Sequence, residues 1–383
     1  MEDLIKIGIY FITIIVSFIV ANYITTFKSF SFLNNRTNRY GSIDGLRGYL
    51  ALSVFVHHFM LTWYWKNTGH WYRPHELYFQ NIGIIGVMMF FMITGFLFTS
   101  KLIKDKGKIN WVKLYKSRFY RIYPLYIFII ILISFVVFFY TDEAVKNYAK
   151  LANDYFKWFV FHGENIHTHN HTSLIIAGVD WSLKYEWLFY LFLPILAFLL
   201  MFNRWILAIL AIVSISFFLQ DYEIFTITTI HLTYFVVGVV AAFLYTKKEK
   251  FKDFINLPII TMFILFLLGK AIFSEHIFYK NVYYYTPILY VSIFFIAVAL
   301  GNDIFGFLKH KASILLGEIS YSIYLMHGFI IYFIYTIIEP IDLKTITSLE
   351  HTYMMPFLVF IVVLISTKTY LYIEAPAIRF GKR

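Results

Sequence analysis

Long runs of apolar residues recur along the whole chain, separated by shorter polar stretches that carry most of the charges. Eleven of these runs are close to 20 residues long, the length that a helix needs to cross the hydrocarbon core of a bilayer. They lie at roughly 5–26, 44–65, 80–101, 122–141, 183–201, 203–219, 226–246, 256–273, 282–300, 314–337 and 354–373. The pattern predicts an all-α, polytopic membrane protein with about eleven transmembrane helices.

The composition agrees with this pattern. Hydrophobic residues make up 60% of the chain and charged residues only 14%, whereas a soluble domain carries about 25% charged residues. The absence of cysteine excludes disulfides, thiolate metal sites and a thioester-linked enzyme intermediate. The net charge of +11 arises from lysines and arginines scattered over the loops, so we expect them to anchor loops at a membrane surface and expect no nucleic-acid partner.

The positive charges are distributed unevenly between alternate loops. One set of loops holds 22 of the 33 lysines and arginines and the other holds 9, while Lys184 and Lys368 fall inside helices. Because basic loops stay on the cytoplasmic side, we predict that the N-terminus is outside and the C-terminus is cytoplasmic. The most basic loop, around 101–121, is then cytoplasmic, and the long loop at 142–180 is external. The first run follows Glu2 and Asp3 and has no clear cleavage site, so we interpret it as a retained helix.

One helix carries ionisable residues deep in its apolar run. Arg47 and His58 are within about 20° in azimuth and about 16 Å apart along the axis, while His57 points about 80° away. In the predicted topology Arg47 lies at the cytoplasmic interface and His58 near the middle of the bilayer. Ionisable groups at that depth are costly, which indicates a functional role for His58. The alternative is a histidine that only packs against a neighbouring helix, and His57 fits that alternative better.

Six segments of the chain, in order, resemble motifs of the membrane acyltransferase family 3, whose members O-acylate surface carbohydrates and related acceptors. They are IDGLRGYLALSVFVHHF (43–59), GVMMFFMITGF (86–96), RFYRIYPLY (118–126), WSLKYEWLFYLFLP (181–194), LGEISYSIYLMHG (316–328) and IEAPAIRF (373–380). The family's arginine and histidine, separated by ten residues, correspond to Arg47 and His58, and Thr94 stands where the family has serine. The resemblance predicts a ten-helix acyltransferase domain over 41–383, preceded at 1–40 by an extra transmembrane helix and a cytoplasmic linker.

The resemblance also implies substrates and a location. We expect acetyl-coenzyme A, or another acyl-coenzyme A, as a cytoplasmic donor, and a hydroxyl of a cell-surface glycan or its lipid-linked precursor as the external acceptor. The location implied is the bacterial plasma membrane, in contact with lipids. No permanently bound cofactor is expected. Some relatives carry an additional extracytoplasmic esterase-like domain; since this chain ends at Arg383, we expect it to work alone or with a separate partner.

The chemistry of acyl transfer assigns roles to the basic residues. Histidine suits the base that takes the hydroxyl proton, because its ordinary pKa lies near neutrality, so His58 is the candidate base. Arg47 is a candidate for binding a donor phosphate or orienting the thioester carbonyl, with an interface anchor as the alternative. Arg118 and Arg121 share a helical face and are candidates for binding the donor's phosphates. Simple anchoring explains this pair nearly as well.

Further candidates come from the later helices. Glu186, with the aromatic Trp181 and Tyr185, is a candidate for acceptor binding, and an interfacial aromatic belt is the alternative. Ser320, Tyr321 and His327 are expected to line the donor tunnel or to support the base. Hydrogen bonding between helices is an equal alternative for these three residues.

Two other interpretations carry less weight. The alternating histidines of HTHNH (167–171) are potential metal ligands, but neighbouring residues of a loop do not by themselves form a tetrahedral site, so we expect no metal. Transfer of another acyl group such as succinyl, or transfer to a small-molecule acceptor, remains an enzymatic alternative. The non-enzymatic alternative is a transporter that moves a glycan or lipid without catalysing a reaction. Against it, the chain has neither an internal repeat nor a matched pair of broken helices.

Overall fold

The computed structural model describes residues 1–34, 40–141, 144–202, 223–224, 227–228, 230–275 and 282–383, and these are almost entirely helical. The α-helices are α1 (Glu2–Ile24), α2 (Gly41–Thr68), α3 (Leu77–Lys104), α4 (Trp111–Tyr140), α5 (Tyr148–Phe159), α6 (Trp181–Phe202), α7 (Ile230–Tyr245), α8 (Lys252–Ile255), α9 (Pro258–Ile272), α10 (Val282–Leu300), α11 (Lys311–Glu318), α12 (Ser320–Tyr332), α13 (Ser348–Tyr353), α14 (Met355–Thr369) and α15 (Ala375–Lys382). Two π-helical turns, Phe333–Ile338 and Tyr370–Glu374, follow α12 and α14. The strands Glu223–Ile224 and Ile227–Thr228 form a small antiparallel pair.

Several of these helices are long and apolar enough to cross a membrane. Among the described residues there are six such segments: Glu2–Ile24, Leu77–Lys104, Trp111–Tyr140, Trp181–Leu199, Ser320–Ile338 and Ser348–Lys382. Shorter apolar helices occupy Ile230–Tyr245, Pro258–Ile272 and Thr286–Leu300. The chain is therefore a multi-pass membrane protein, as the apolar pattern predicts. The total of eleven helices stays a prediction, and the expected run at 203–219 lies outside the described residues.

Helix α2 is long enough to span a bilayer but more polar than the six segments. Its 28 residues extend about 42 Å, and Arg47, His57 and His58 interrupt its apolar sequence. Much of the helix is nonetheless buried, with Phe55, Val56 and Phe59 fully enclosed by neighbouring helices. Arg47, His57 and His58 are half-buried on the same helix, so they can be paired or can line a cavity between helices.

Contacts between the ends of helices join loops that the charge pattern assigns to the same side of the membrane. Lys6 and Glu76, both predicted to be external, form an ion pair at 2.7 Å. Tyr120 and Phe380, both near the predicted cytoplasmic side, have ring centroids 4.9 Å apart. The contacts are thus consistent with the alternation of the loops, whereas the side that faces the cytoplasm stays a prediction.

Glycines allow α2 and α11 to approach closely beside Arg47. A Cβ atom at Gly317 would overlap the carbonyl oxygen of Asp44, and one at Gly45 would overlap the carbonyl oxygen of Leu308. Gly48 lies against the backbone of the same short helix. Small residues at such contacts let backbones pack tightly without a large apolar side chain between them. This contact determines where Arg47 enters the interior.

The segment between α4 and α6 folds back onto the helices. Trp158 of α5 is fully buried, and its carbonyl oxygen accepts a hydrogen bond of 2.7 Å from the hydroxyl of Tyr126. Further along, a Cβ atom at Gly328 of α12 would overlap the backbone of Ile176. The segment therefore packs directly on the helix that carries His327.

Candidate active site

A cavity of about 260 Å³ lies between α2, α3, α4, α6 and α12. Its lining combines positive charge, one carboxylate, hydroxyl groups and apolar side chains. The lining residues are Arg47, Val87, Phe90, Phe91, Ile93, Thr94, Leu97, Phe98, Arg118, Arg121, Ile122, Ser182, Leu183, Glu186, Tyr190, Ser320, Tyr321 and Tyr324. Six residues singled out from the sequence therefore meet in one place: Arg47, Arg118, Arg121, Glu186, Ser320 and Tyr321.

Helix α6 presents one polar face to this cavity. Ser182, Glu186 and Tyr190 are four residues apart and so lie above one another. The hydroxyl of Tyr190 donates a hydrogen bond to Oε1 of Glu186. Tyr190 and Ser182 were not predicted from the sequence. Their spacing of four residues from Glu186 could have indicated that they share its helical face.

The two aromatic candidates of α6 lie on its neighbouring face. Tyr185 is almost completely buried, and its ring centroid is 5.8 Å from that of Phe91. Trp181 is 38% exposed and packs against His231 at 5.0 Å. Neither residue is among the described residues that line the cavity. The structure therefore separates Trp181 and Tyr185 from Glu186.

The arginines of the cavity interact with carboxylates at a distance and not by direct pairing. Within the described residues, neither Arg47 nor Arg121 forms a hydrogen bond or a salt bridge. The charges of Glu318 and Glu374 attract both arginines, and the charge of Glu186 also attracts Arg121. A guanidinium that faces a cavity with its five N–H donors unengaged is suited to bind an anion or a polarised carbonyl oxygen.

Two carboxylates behind the arginines were not assigned a role from the sequence. Glu374 is almost fully buried, and its Oε2 accepts a hydrogen bond of 3.0 Å from the hydroxyl of Ser322. Oε2 of Glu318 accepts one of 3.2 Å from Tyr370. Both acids lie within motifs that resemble the family, and an acidic residue at the end of the apolar run 354–373 was the available signal. They balance part of the positive charge of the cavity.

The candidate base pairs with a second histidine. Nδ1 of His58 lies 2.9 Å from Nε2 of His327, and the two rings are nearly parallel with centroids 5.1 Å apart. His327 is fully buried. The tertiary structure thus joins two residues that are 269 positions apart in the sequence.

The hydrogen bonds determine which nitrogen of each neutral ring carries the proton. Nδ1 of His327 lies 3.0 Å from the carbonyl oxygen of Ile323, and because a carbonyl only accepts, this nitrogen must be the protonated one. Nε2 of His327 is then an acceptor, so Nδ1–H of His58 donates to it. The lone pair of His58 Nε2 is left available to take a proton, which is the state required of a general base.

His57 occupies a different environment. Its Nδ1 lies 3.1 Å from the carbonyl oxygen of Phe79, and its ring fills the space beside Gly83. These contacts join α2 to α3 and explain the presence of His57 without a catalytic role. They fit the packing role expected for His57.

Tyr324 lies between the cavity and the histidine pair. It lines the cavity, and its ring centroid is 6.2 Å from that of His327, one helical turn away. Its hydroxyl lies 2.7 Å from Oγ of Ser182 and donates to the carbonyl oxygen of Val179 at 3.1 Å. His58 and His327 are not among the described residues that line the cavity, so Tyr324 forms the boundary between the two parts of the site.

The histidines of HTHNH (167–171) lie in the loop 162–176, where backbone groups are hydrogen-bonded to neighbouring side chains. The backbone N–H of His171 donates to Oδ1 of Asn165 at 2.8 Å, and that of His167 donates to Oδ2 of Asp154 at 3.2 Å. Among the described residues there is no group of three or more histidine, aspartate or glutamate side chains placed to hold a metal ion.

Comparison with known proteins places the chain in a family. The family profile described as "Acyltransferase domain" matches residues 40–369. The chain belongs to this acyltransferase family. No solved structure matches it.

Two curated relatives of this acyltransferase are similar over part of their length. "O-acetyltransferase OatA" of Staphylococcus aureus (strain NCTC 8325) is 25% identical over 320 residues, which is 76% of this chain and 50% of the relative. "Peptidoglycan O-acetyltransferase OatA" of Listeria monocytogenes is 29% identical over 187 residues, or 45% of this chain and 26% of the relative. The acyltransferase thus spans half or less of the length of these relatives.

Proposed function

We propose that the chain is a membrane O-acyltransferase that moves an acetyl group from cytoplasmic acetyl-coenzyme A to a hydroxyl of a cell-surface glycan, or of its lipid-linked precursor, on the outer side. The family and the OatA relatives support O-acetyl transfer to a surface glycan. The observation that carries the proposal is the hydrogen-bonded pair of His58 and His327 next to a cavity with three arginines.

In the proposed reaction His58 is the base. Its Nε2 takes the proton of the acceptor hydroxyl while the hydroxyl oxygen attacks the thioester carbonyl carbon. The tetrahedral intermediate then collapses, the carbon–sulfur bond breaks, and the leaving sulfur receives the proton from His58. The products are the acetyl ester and the free thiol, and His58 returns to its neutral state. We prefer this direct transfer to an acyl-enzyme.

The cavity supplies the donor side of the proposal. Arg47 orients the thioester and stabilises its developing oxyanion, and Arg121 contributes positive charge beside it. We assign Arg118 to the donor's phosphates, and Ser320 and Tyr321, which also line the cavity, to the path of the pantetheine arm. The acyl end must pass Tyr324 to reach His58, so we infer that Tyr324 turns aside when the donor is bound.

The acceptor side is assigned to α6. Glu186 accepts a hydrogen bond from Tyr190 and can accept another from a sugar hydroxyl. The exposed ring of Trp181, supported by Tyr185, offers a surface on which a sugar can stack. Since Trp181 and Glu186 lie on different faces, they would contact different parts of the acceptor.

The test is release of free thiol from acetyl-coenzyme A by the purified protein, with a glycan extract as acceptor. Wild type should turn over, His57→Ala should retain most of the activity, and His58→Ala should lose roughly 10²- to 10⁴-fold. Equal losses in both variants would overturn the assignment of the base. A wild type that neither binds nor consumes acetyl-coenzyme A would overturn acetyl transfer, after which succinyl donors and then transport would be tested.

A further inference from the structure

A second cavity, of about 440 Å³, adjoins the first at the end that the charge pattern assigns to the cytoplasm. The two cavities share Leu97, Phe98 and Arg118 in their walls. The rest of the second cavity comes from the end of α3, the α3–α4 connection, the start of α4 and the end of α15: Lys101, Asp105, Lys108, Ile109, Asn110, Lys113, Leu114, Ser117, Gly381 and Lys382. We call this cavity the lysine groove.

The charge of the lysine groove is strongly one-sided. Lys101, Lys108, Lys113 and Lys382 are all exposed, and none of them forms a salt bridge with another described residue. Among the described lining residues, Asp105 is the one acid. Like charges gathered in a concave surface create a positive potential that attracts anions, and lysine ammonium groups bind phosphates as point charges.

The simplest alternative is that these lysines only anchor a cytoplasmic loop or attract anionic lipid headgroups. Two observations favour a ligand that also enters the reaction cavity. Lys104 and Lys106 belong to the same basic segment and are also exposed, yet they lie outside the groove. Only some of the lysines of this segment therefore line the groove. The groove also has apolar lining residues, Phe98, Ile109 and Leu114 among them, which a headgroup does not need.

Arg118 stands where the two cavities adjoin. Its guanidinium lies 5.2 Å from the ring centre of Phe98, and both residues line both cavities. A long ligand that lies in the groove and extends to Arg47 and Arg121 would therefore contact this arginine. The order along such a ligand is phosphates first and then an uncharged arm.

We propose that the lysine groove binds the nucleotide end of the acyl donor, a 3′-phosphorylated adenosine diphosphate, with its diphosphate beside Arg118 and the pantetheine arm extending from there into the reaction cavity. This inference rests on the proposed function, since it takes acyl-coenzyme A as the donor. Lys101, Lys108 and Lys113 contact the phosphates, and the apolar lining receives the base.

The test compares two donors and two matched double variants of the full chain, purified in detergent. Lys108→Gln/Lys113→Gln removes charge from the groove, and Lys104→Gln/Lys106→Gln removes the same charge from the same loop outside it. The groove variant should raise KM for acetyl-coenzyme A about tenfold, with kcat unchanged. Its KM for acetyl-pantetheine, which lacks the nucleotide, should stay at the wild-type value. The control variant should behave as wild type with both donors.

Direct binding gives a second measurement that needs no turnover. Adenosine 3′,5′-bisphosphate should bind wild type and the control variant, and binding should be weakened about tenfold in the groove variant. Equal weakening in both variants, or none, would overturn the proposal. A defect of the groove variant that appears only as weaker association with vesicles containing anionic lipid would assign the groove to headgroups instead. Loss of wild-type activity with both donors would contradict the proposed function itself, whereas normal wild-type activity with identical variants contradicts only the groove.

Discussion

Charged residues are buried near both ends of α2. At one end they form the Glu76 cluster, which consists of Lys6, Tyr64, Glu76 and Ser348, and at the other end they line the reaction cavity. The two groups differ in whether their charges are paired. In the Glu76 cluster the carboxylate of Glu76 accepts hydrogen bonds from Lys6 at 2.7 Å, Tyr64 at 2.9 Å and Ser348 at 3.1 Å. In the cavity, Arg47 and Arg121 face open volume without a hydrogen bond to any described residue. Within the described residues, the carboxylate of one cluster is paired internally, whereas the guanidinium groups of the other are open to a ligand.

The difference separates structural from functional charge. Burial opposes ionisation of Glu76, but the hydrogen bonds from Lys6 and Tyr64 and the charge of Lys6 bring its pKa below the usual range. The cluster is therefore a charged, saturated contact that joins α1, α2 and α13. Unpaired guanidinium groups, in contrast, lower stability and are retained where binding or catalysis needs them.

After His58 itself, the largest loss of activity is expected from its partner His327. His327→Ala removes the acceptor for Nδ1–H of His58, and kcat should fall about 10²-fold with little change in KM for the donor. His327→Gln supplies an amide oxygen in its place and should recover part of the loss. Nitrogen NMR of histidine-labelled protein should show both His58 and His327 protonated at Nδ1, and the remaining His58 ring should lose this preference in His327→Ala and keep it in His327→Gln. A parallel loss of activity in the alanine and glutamine variants, with the His58 signal unchanged in both, would reduce His327 to a packing residue.

A smaller effect is expected at the cavity. Arg47→Lys keeps the charge but loses the planar fork of donors, and kcat/KM for acetyl-coenzyme A should fall about tenfold to 10²-fold. The temperature of unfolding should hardly change, because no hydrogen bond or salt bridge joins Arg47 to another described residue. Steady-state kinetics and a thermal scan of the same sample check both statements. A large drop in Tm with unchanged kinetics would make Arg47 an interface anchor.

The opposite pattern is expected at the Glu76 cluster. Lys6→Met leaves the buried carboxylate without its cation, so the free energy of unfolding should fall by on the order of 3 kcal/mol while kcat/KM stays near wild type. Lys6→Met/Glu76→Gln should recover part of the loss. Glu2→Gln is the matched control, because Glu2 also pairs with Lys6 but is largely exposed. If activity falls as far as it does in Arg47→Lys, the contrast between the two clusters is wrong.

The smallest effect concerns pH. Asp180 is buried, and burial raises its pKa to about 7 against the opposing N–H group of Gly163 and the charge of Lys184. The folded protein thus favours protonated Asp180. Its contribution to stability is complete below the ordinary aspartate pKa of about 4 and is lost as the pH rises through about 7.

The measurement is Tm between pH 5 and pH 8 in wild type and Asp180→Asn. Wild type should lose a few degrees over this interval, and the variant should lose less, because an amide does not titrate. Superimposable pH profiles would show that Asp180 does not control this dependence.

The sequence determined much of the architecture and the class of chemistry. Apolar runs of spanning length correspond to most helices, because a segment in lipid must satisfy its own backbone hydrogen bonds and reveals this by its composition. Arg47 and His58 were recognisable for a related reason, since an ionisable residue in such a run is costly unless it is used. The ordered motifs indicated the acyltransferase family, which the match over 40–369 confirms.

Only the tertiary structure decided which residues meet across helices. Periodicity states which face of α6 a residue occupies, but not that the face of Glu186 borders a cavity while that of Tyr185 borders Phe91. It likewise cannot state that His327 accepts from His58. Such contacts depend on the rotation and separation of neighbouring helices, which are set by close packing at a few glycines such as Gly317, and this information belongs to no single segment of the sequence.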